Sequence, residues 1–159
     1  VAAGAHLVAG AALAVATVSI EAVTRPMLAG DRAYVLETWL HSYRTAPMAA
    51  RLPDWAYWSR YGHVGLVEDL LERSEVTVLG LPEGGPWMFG WMCHGPRRLH
   101  YVFVRYEFRR QGLGRRLIES LPGGEMAITH LTPDGSRLLA GCGRAPLTVN
   151  PYATEKERG

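Results

Sequence analysis

Residues 102 to 118 restrict this chain's fold more than any other stretch. They read Val-Phe-Val-Arg-Tyr-Glu-Phe-Arg-Arg-Gln-Gly-Leu-Gly-Arg-Arg-Leu-Ile: an alternating apolar run, a basic turn, then a helical repeat. Leu113, Leu117, Ile118 and Leu121 fall on one helix face, so the pattern predicts a strand, a turn and a helix from about Gln111 to Leu121. The turn is Arg109-x-x-Gly112-x-Gly114, and glycines there let the backbone approach a ligand and adopt positive φ. A helix opening behind it presents unpaired N–H groups with partial positive charge, for which a pyrophosphate is a natural guest. Five arginines and one acid, Glu107, lie between Arg105 and Arg116, which concentrates positive charge at the turn. A charge run of this kind, taken alone, equally fits a solvated helix face.

The elements around it follow from periodicity. Val18, Ile20 and Ala22 alternate with polar residues in a first strand over 17–27 that ends near Pro26. Asp31 stands where an N-cap belongs, and Tyr34, Val35, Leu36, Trp39, Leu40 and Tyr43 predict a helix over 32–43. A second helical stretch carries Trp55 through Leu71 and is interrupted by Gly62 and Gly65. Strands then follow at 76–81 and 87–94, joined by Pro82-Glu-Gly-Gly-Pro86, and at 99–105 after Gly95-Pro96. Beyond the glycine turn come a strand at 126–131, a helix at 134–140 with Pro133 in its first turn, and a last strand at 147–149. The order β-α-α-β-β-β-α-β-α-β describes a mixed sheet covered by helices, of class α/β (α+β).

Length fits one domain, over 18–153, between an apolar N-terminal extension at 1–17 and a charged, frayed tail at 154–159. The extension is too short and too weakly hydrophobic for a membrane span and lacks the basic start of a signal peptide, so a disordered leader or a misplaced reading-frame start is expected. Cys93 and Cys142 form neither a disulfide framework nor a zinc motif, which fits a reducing, cytoplasmic setting without a metal. A net charge of +2 argues against a general nucleic-acid binder. Two other phosphate motifs are absent: the only lysine is Lys156, so no Gly-x-x-x-x-Gly-Lys loop exists, and no Gly-x-Gly-x-x-Gly opens a parallel repeat.

With its hairpin and two preceding helices, the segment Val102-Phe-Val104, Glu107-Phe-Arg-Arg-Gln-Gly-Leu-Gly114, Leu117 and Ile118 resembles the acetyl-CoA-binding motif of the GNAT (GCN5-related N-acetyltransferase) superfamily. The resemblance in element order covers residues 18 to 131 and implies a single domain with a mixed, mostly antiparallel sheet of six to seven strands flanked by about four helices. It further implies direct transfer of an acetyl group from acetyl-CoA to a primary amine in a ternary complex, with no metal. The amides around Arg110, Gln111, Gly112, Leu113 and Gly114 would hold the pyrophosphate, framed by Arg109 and Arg115. Backbone groups of Phe103 and Val104 would pair with the pantetheine arm, with Val102 beside them among the cofactor-binding residues, and Thr129 and His130 would stand near the cofactor on the opposite wall. Dimerisation is common in the family.

Transfer needs a neutral amine, a polarised carbonyl and a proton for the thiolate, and much of the acceleration can come from positioning. By strict alternation His100 shares a face with Val102 and Val104, where some members carry a catalytic glutamate, and it is the candidate base beside the plainer role of a hydrogen-bonded structural histidine. Glu107 is expected to be structural. The family's usual tyrosine after the second slot strand is missing from Leu138-Leu-Ala-Gly141, leaving Tyr152 or solvent as proton donor. Six aromatics from Trp39 to Tyr61 suit core packing or an aromatic patch for the acceptor or another subunit. Two alternatives stand beside the enzyme: a weakly active or inactive CoA-binding interaction module of the same fold, and an accessory protein contacting nucleic acid through its arginines.

Overall fold

The computed structural model describes residues 22–82, 87–145 and 147–152. The expected extension at 1–17, the hairpin turn at 83–86 and the tail at 154–159 lie outside the described residues. Six strands form one sheet in sequential order: β1 (Val23–Pro26), β2 (Glu75–Gly80), β3 (Met88–Gly95), β4 (Arg98–Val104), β5 (Ala127–Ile128) and β6 (Leu147–Thr148). The first four are antiparallel, β3 and β4 through a short turn and β1 and β2 across the helices between them. β5 and β6 are parallel to β4, each reached through a crossover helix, α4 (Leu113–Glu119) and α5 (Pro133–Gly141). Between β1 and β2 lie α1 (Arg32–Tyr43), α2 (Asp54–Tyr57) and α3 (His63–Arg73). The class is α/β with a mixed, mostly antiparallel sheet in a single domain.

Alternation along the strands sorts side chains onto two faces. Val76, Val78, Trp91, Cys93 and Tyr101 pack with Val35, Trp39, Tyr43, Val67 and Leu70 of α1 and α3. Leu79, Phe89, Met92 and Leu99 pack with Leu113, Leu117 and Ile118 of α4 and Leu139 of α5. A bulge interrupts the alternation between β3 and β4, where Cys93 faces Tyr101 but His94 faces Leu99, so His100 is the extra residue. Leu99, not His100, therefore joins Val102 and Val104 on the α4–α5 face, which corrects the strict alternation expected for His100.

Other departures from the sequence pattern have local causes. Helix formation over 54–73 breaks into α2 and α3, giving five α-helices among the described residues, and carbonyls of α2 and of the intervening loop lie against Gly62 and Gly65 at the start of α3. A Cβ at Gly62 would stand 1.8 Å from the Ala56 carbonyl oxygen, and one at Gly65 1.8 Å from that of Arg60. Asp31 makes no side-chain cap for α1. Its carboxylate instead accepts from Arg25 Nη1 at 2.6 Å and from the Leu28 N–H at 2.8 Å, which ties β1 to the chain entering α1. Burial acts to raise the pKa of Asp31, but these hydrogen bonds outweigh it and hold the carboxyl below its usual value. The helix after the glycine turn spans seven residues, not 111–121. β5 keeps two residues of the expected 126–131, since Thr132 caps α5 by accepting from the Gly135 N–H at 2.9 Å and Pro133 starts that helix.

Candidate active site

β4 and β5 pair only at their N-terminal ends. Arg98 faces Ala127 and Leu99 faces Ile128, and the Thr129 and His130 N–H groups still donate to the Leu99 and His100 carbonyls at 3.2 and 3.1 Å. Past His100 the strands part, and the edge of β4 from Tyr101 to Val104 has no strand beside it among the described residues. The Arg105 N–H donates to the Phe89 carbonyl at 2.9 Å, which sets the phase of the antiparallel ladder. In that phase the main chain of Phe103 faces β3, and the main-chain groups of Val102 and Val104 face the open side. Pairing with a pantetheine arm thus falls to Val102 and Val104 rather than to Phe103 and Val104. The Val104 carbonyl currently accepts from Arg109 Nε at 2.9 Å.

A groove of about 830 Å³ follows this edge. Val102, Phe103, Val104, Arg109, Arg110, Gly112, Leu113, Gly114 and Arg115 line it, whereas Gln111 stands in the turn but outside the lining. Arg110 and Gly112 both have positive φ, 61° and 79°, so successive amides around Gln111 curl into a small concavity of the kind that suits anions. With a helix of only seven residues behind it, this curl and the arginines matter more to anion binding than a macrodipole. The two glycines differ in purpose. A Cβ at Gly112 would meet open space, whereas one at Gly114 would stand 3.0 Å from Leu138 Cδ2, so Gly114 lets α4 and α5 pack closely. At the mouth, Asp134 of α5 lies 3.5 Å from Arg109 Nη1 and also pairs with Arg137. Arg115 donates to the Gly141 carbonyl at 2.7 Å and pairs with Glu119 at 3.1 Å.

The inner end of the groove is closed by Ser42 and Tyr101, whose oxygens lie 2.7 Å apart. The Ser42 hydroxyl donates to the Thr38 carbonyl at 2.5 Å, which leaves Tyr101 as the donor between the two. Burial pushes the Tyr101 phenol up to about 12, so it stays protonated at neutral pH. Its ring stacks on Trp39 at 5.2 Å. Behind lies a buried cluster in which Tyr43, Tyr57, His63 and His130 pack ring to ring. Trp39 Nε1, His63 Nε2 and His130 Nε2 have no hydrogen-bond partner there.

The remaining sequence candidates stand around this cluster. His100, Thr129 and His130 are buried outside the groove lining, and Thr129 Oγ1 lies 3.0 Å from His100 Nδ1 and 2.8 Å from His130 Nδ1. Burial holds His63 and His100 down to about 4 and His130 well below its usual value, so all three imidazoles are neutral at pH 7. The Tyr152 hydroxyl lies 3.1 Å from His63 Nδ1, away from the groove, and burial raises its pKa. Of the aromatics on the first helices, Trp39, Tyr43 and Tyr57 are buried, whereas Trp55, Trp58 and Tyr61 are exposed. Glu107 is exposed and pairs with Arg105 at 3.2 Å. Sequence reasoning passed over Ser42, Tyr101, Asp134 and Arg137. Tyr101 was visible as the next residue of the same strand, but nothing local marks Ser42, which reaches the site only because α1 crosses β4.

No family model matches the sequence, and no curated protein matches it as a relative. Among solved structures, the chain is similar to a GCN5-related N-acetyltransferase from Rhodopseudomonas palustris, with 18% identity over 62% of each chain and a TM-score of 0.43. The match therefore spans less than two thirds of that protein. It is also similar to AAC(6')-Iy in complex with the bisubstrate analog CoA-S-monomethyl-acetylneamine, with 16% identity over 84% of this chain and 81% of that one and a TM-score of 0.38. At such identities and TM-scores these likenesses carry no argument about chemistry, which has to come from this chain's own residues.

Proposed function

We propose that this chain of GNAT type is an acetyl-CoA-dependent N-acetyltransferase that moves the acetyl group directly to a primary amine in a ternary complex. One observation carries the proposal: a groove that begins at the curled amides of residues 110–114, follows the unpaired edge of β4 and ends on the Tyr101 and Ser42 hydroxyls. Its volume of about 830 Å³ suits an extended cofactor. The pyrophosphate would lie in the curl between Arg109, Arg110 and Arg137. The pantetheine amides would add to β4 as a strand through the main chain of Val102 and Val104, with Arg109 giving up the Val104 carbonyl to them. The thioester then reaches the inner end, where the Tyr101 hydroxyl would turn its one proton from Ser42 to the carbonyl oxygen as that oxygen gains charge.

Titration of the protein with acetyl-CoA by calorimetry, followed by thiol release against a panel of amines and peptides, tests this directly. Binding with amine-dependent thiol release is expected. Binding without release for any acceptor would favour the interaction-module reading, and no binding would sink both. Gly112→Glu places a carboxylate in the curl and is expected to weaken CoA binding by about 100-fold, since the charge faces the phosphates. A nucleic-acid reading draws less support, because Arg105, Arg109 and Arg115 are each engaged by a carboxylate.

A further inference from the structure

Two consecutive arginines stand where the turn after β3 enters β4. Arg97 and Arg98 are exposed and enter no ion pair among the described residues, whereas Arg105, Arg109 and Arg115 along the groove each have a carboxylate partner. Their backbone is fixed all the same. Arg98 pairs with Ala127 of β5, whose N–H donates to the Arg97 carbonyl at 3.1 Å. Two adjacent positive charges are thus held in place with no counter-charge of the chain beside them.

Both line a cavity of about 310 Å³ between α3 and the β4–β5 pair. Leu66, Leu70 and Arg73 recur at i, i+4 and i+7 of α3, so one helix face contributes two leucines and a third cation to the lining. Val149 adds a further apolar side chain, and the buried His100 and Thr129 also line the cavity. No carboxylate does: Asp69, which pairs with Arg73 Nε at 2.8 Å, stands outside the lining. The C-terminal end of α3 favours a cation nearby, and Arg73 in its last turn fills that role, so Arg97 and Arg98 exceed what the helix end uses. His100 brings one more unmet group. Its Nδ1 is occupied by Thr129 Oγ1 at 3.0 Å, while its Nε2 has no hydrogen-bond partner among the described residues and is not sealed from solvent as the Nε2 atoms of His63 and His130 are.

We propose that this cavity binds a small organic anion, its carboxylate between Arg73, Arg97 and Arg98 and its apolar body against Leu66, Leu70 and Val149. Charge selects the first part of that ligand and the leucine wall the second, because a bare inorganic anion would satisfy the arginines and leave the apolar lining against water. The site is separate from the groove, since no residue lines both, and it stands whether or not the groove transfers acetyl.

Calorimetric titration with hexanoate, acetate, 1-hexanol and inorganic phosphate tests it. Hexanoate should bind at least about tenfold more tightly than each of the other three, which lack either the charge or the apolar body. Replacing both exposed arginines, Arg97→Ser with Arg98→Ser, should weaken hexanoate by about tenfold or more and leave the acetyl-CoA Kd unchanged. The His100 ring gives a local readout. Burial, then Arg98 of β4, Arg73 of α3 and His94 of β3, hold its pKa down to about 4, and a carboxylate among those charges should raise it in an NMR titration. No hexanoate binding up to about 10 mM would overturn the site, a level weaker than any specific small-ligand contact set of this size. Phosphate or 1-hexanol binding as tightly as hexanoate would overturn the class of ligand. Hexanoate binding that survives the double arginine change, or that acetyl-CoA displaces, would overturn its location. A His100 titration unmoved by saturating hexanoate would do the same even if the double variant failed to fold.

Discussion

The groove and the buried cluster behind it are built in opposite ways. Most of the groove comes from one continuous stretch, 101–115, completed by residues of α5 and by Ser42. Its charged side chains are solvated, and its ion pairs are largely exposed. The cluster draws Trp39 and Tyr43 from α1, Tyr57 from α2, His63 from α3, Tyr101 from β4, His130 from beyond β5 and Tyr152 from the C-terminal end. Its rings are desolvated and its imidazoles are held neutral. Binding and stability should therefore separate: changes in the groove should alter affinity with little effect on folding, and changes in the cluster should alter folding first.

The largest expected effect tests the cluster. Trp39 is fully buried and stacks on Tyr101 at 5.2 Å, so Trp39→Ala should cost about 3–5 kcal/mol of stability, read as a shift in the urea midpoint. A loss below about 1 kcal/mol would mean that the cluster is not a structural unit.

Acid should find the same cluster next. In the unfolded chain each imidazole titrates near 6.5, while in the fold burial holds His63 and His100 down to about 4 and His130 well below its ordinary value. Below pH 6.5 the unfolded state binds more protons, so their contribution is complete above 6.5 and is lost as pH falls toward 4. Between pH 6.5 and 5 the loss should be about 1–2 kcal/mol for each of His63 and His100, by the conversion of pKa difference to free energy. Asp31, whose pKa is lowered, adds its own loss only near and below its ordinary value of 3.8, outside this window. Urea midpoints across pH 5–7 measure the slope, and His63→Phe should flatten it. A slope unchanged by that variant would show that His63 is solvated or charged.

What was legible in the sequence follows the same division. Element order, the 32–43 helix and the three central strands could be read because each rests on local periodicity, and Val102 through Arg115 could be read as strand, turn and helix because its pattern is contiguous. His100 was visible as a residue of interest but not in its true setting, since a bulge that moves it off its face arises from pairing with β3 and leaves no mark on a single strand. The helix break before Gly62 was signalled, but the carbonyls that lie against Gly62 and Gly65 were not. Thr129 read as a cofactor neighbour; its place between two imidazoles required a bulged β4 beside a departing β5.

A smaller effect examines how far the groove is independent of packing. A Cβ at Gly114 would press on Leu138 Cδ2 at 3.0 Å and Cδ1 at 3.2 Å, the far end of a side chain that also lines the groove. Gly114→Ala should push Leu138 into the cofactor space and weaken CoA binding about fivefold, about 1 kcal/mol, near the lower end for overpacking. Stability should change little, because alanine also favours the first turn of α4. A large fall in the urea midpoint with unchanged affinity would reverse the assignment and place Gly114 with the core.

The smallest effect concerns charge at the mouth of the groove. Asp134 pairs with both Arg109 and Arg137 where phosphates would lie, so the positive charge there is partly neutralised by a carboxylate of the chain. Asp134→Asn keeps the shape, removes the competing charge and should tighten CoA binding about threefold at low salt, the scale of an exposed ion pair. Calorimetry at about 20 mM and about 500 mM salt measures it, and the gain should shrink at high salt, where screening reaches within a few ångströms. The urea midpoint should fall by only about 0.5 kcal/mol equivalent, since Asp134 also favours the first turn of α5. Weaker binding in Asp134→Asn would mean that the carboxylate positions the arginines for the phosphates instead of competing with them. The solvated groove would then depend on fixed geometry in the way the buried cluster does.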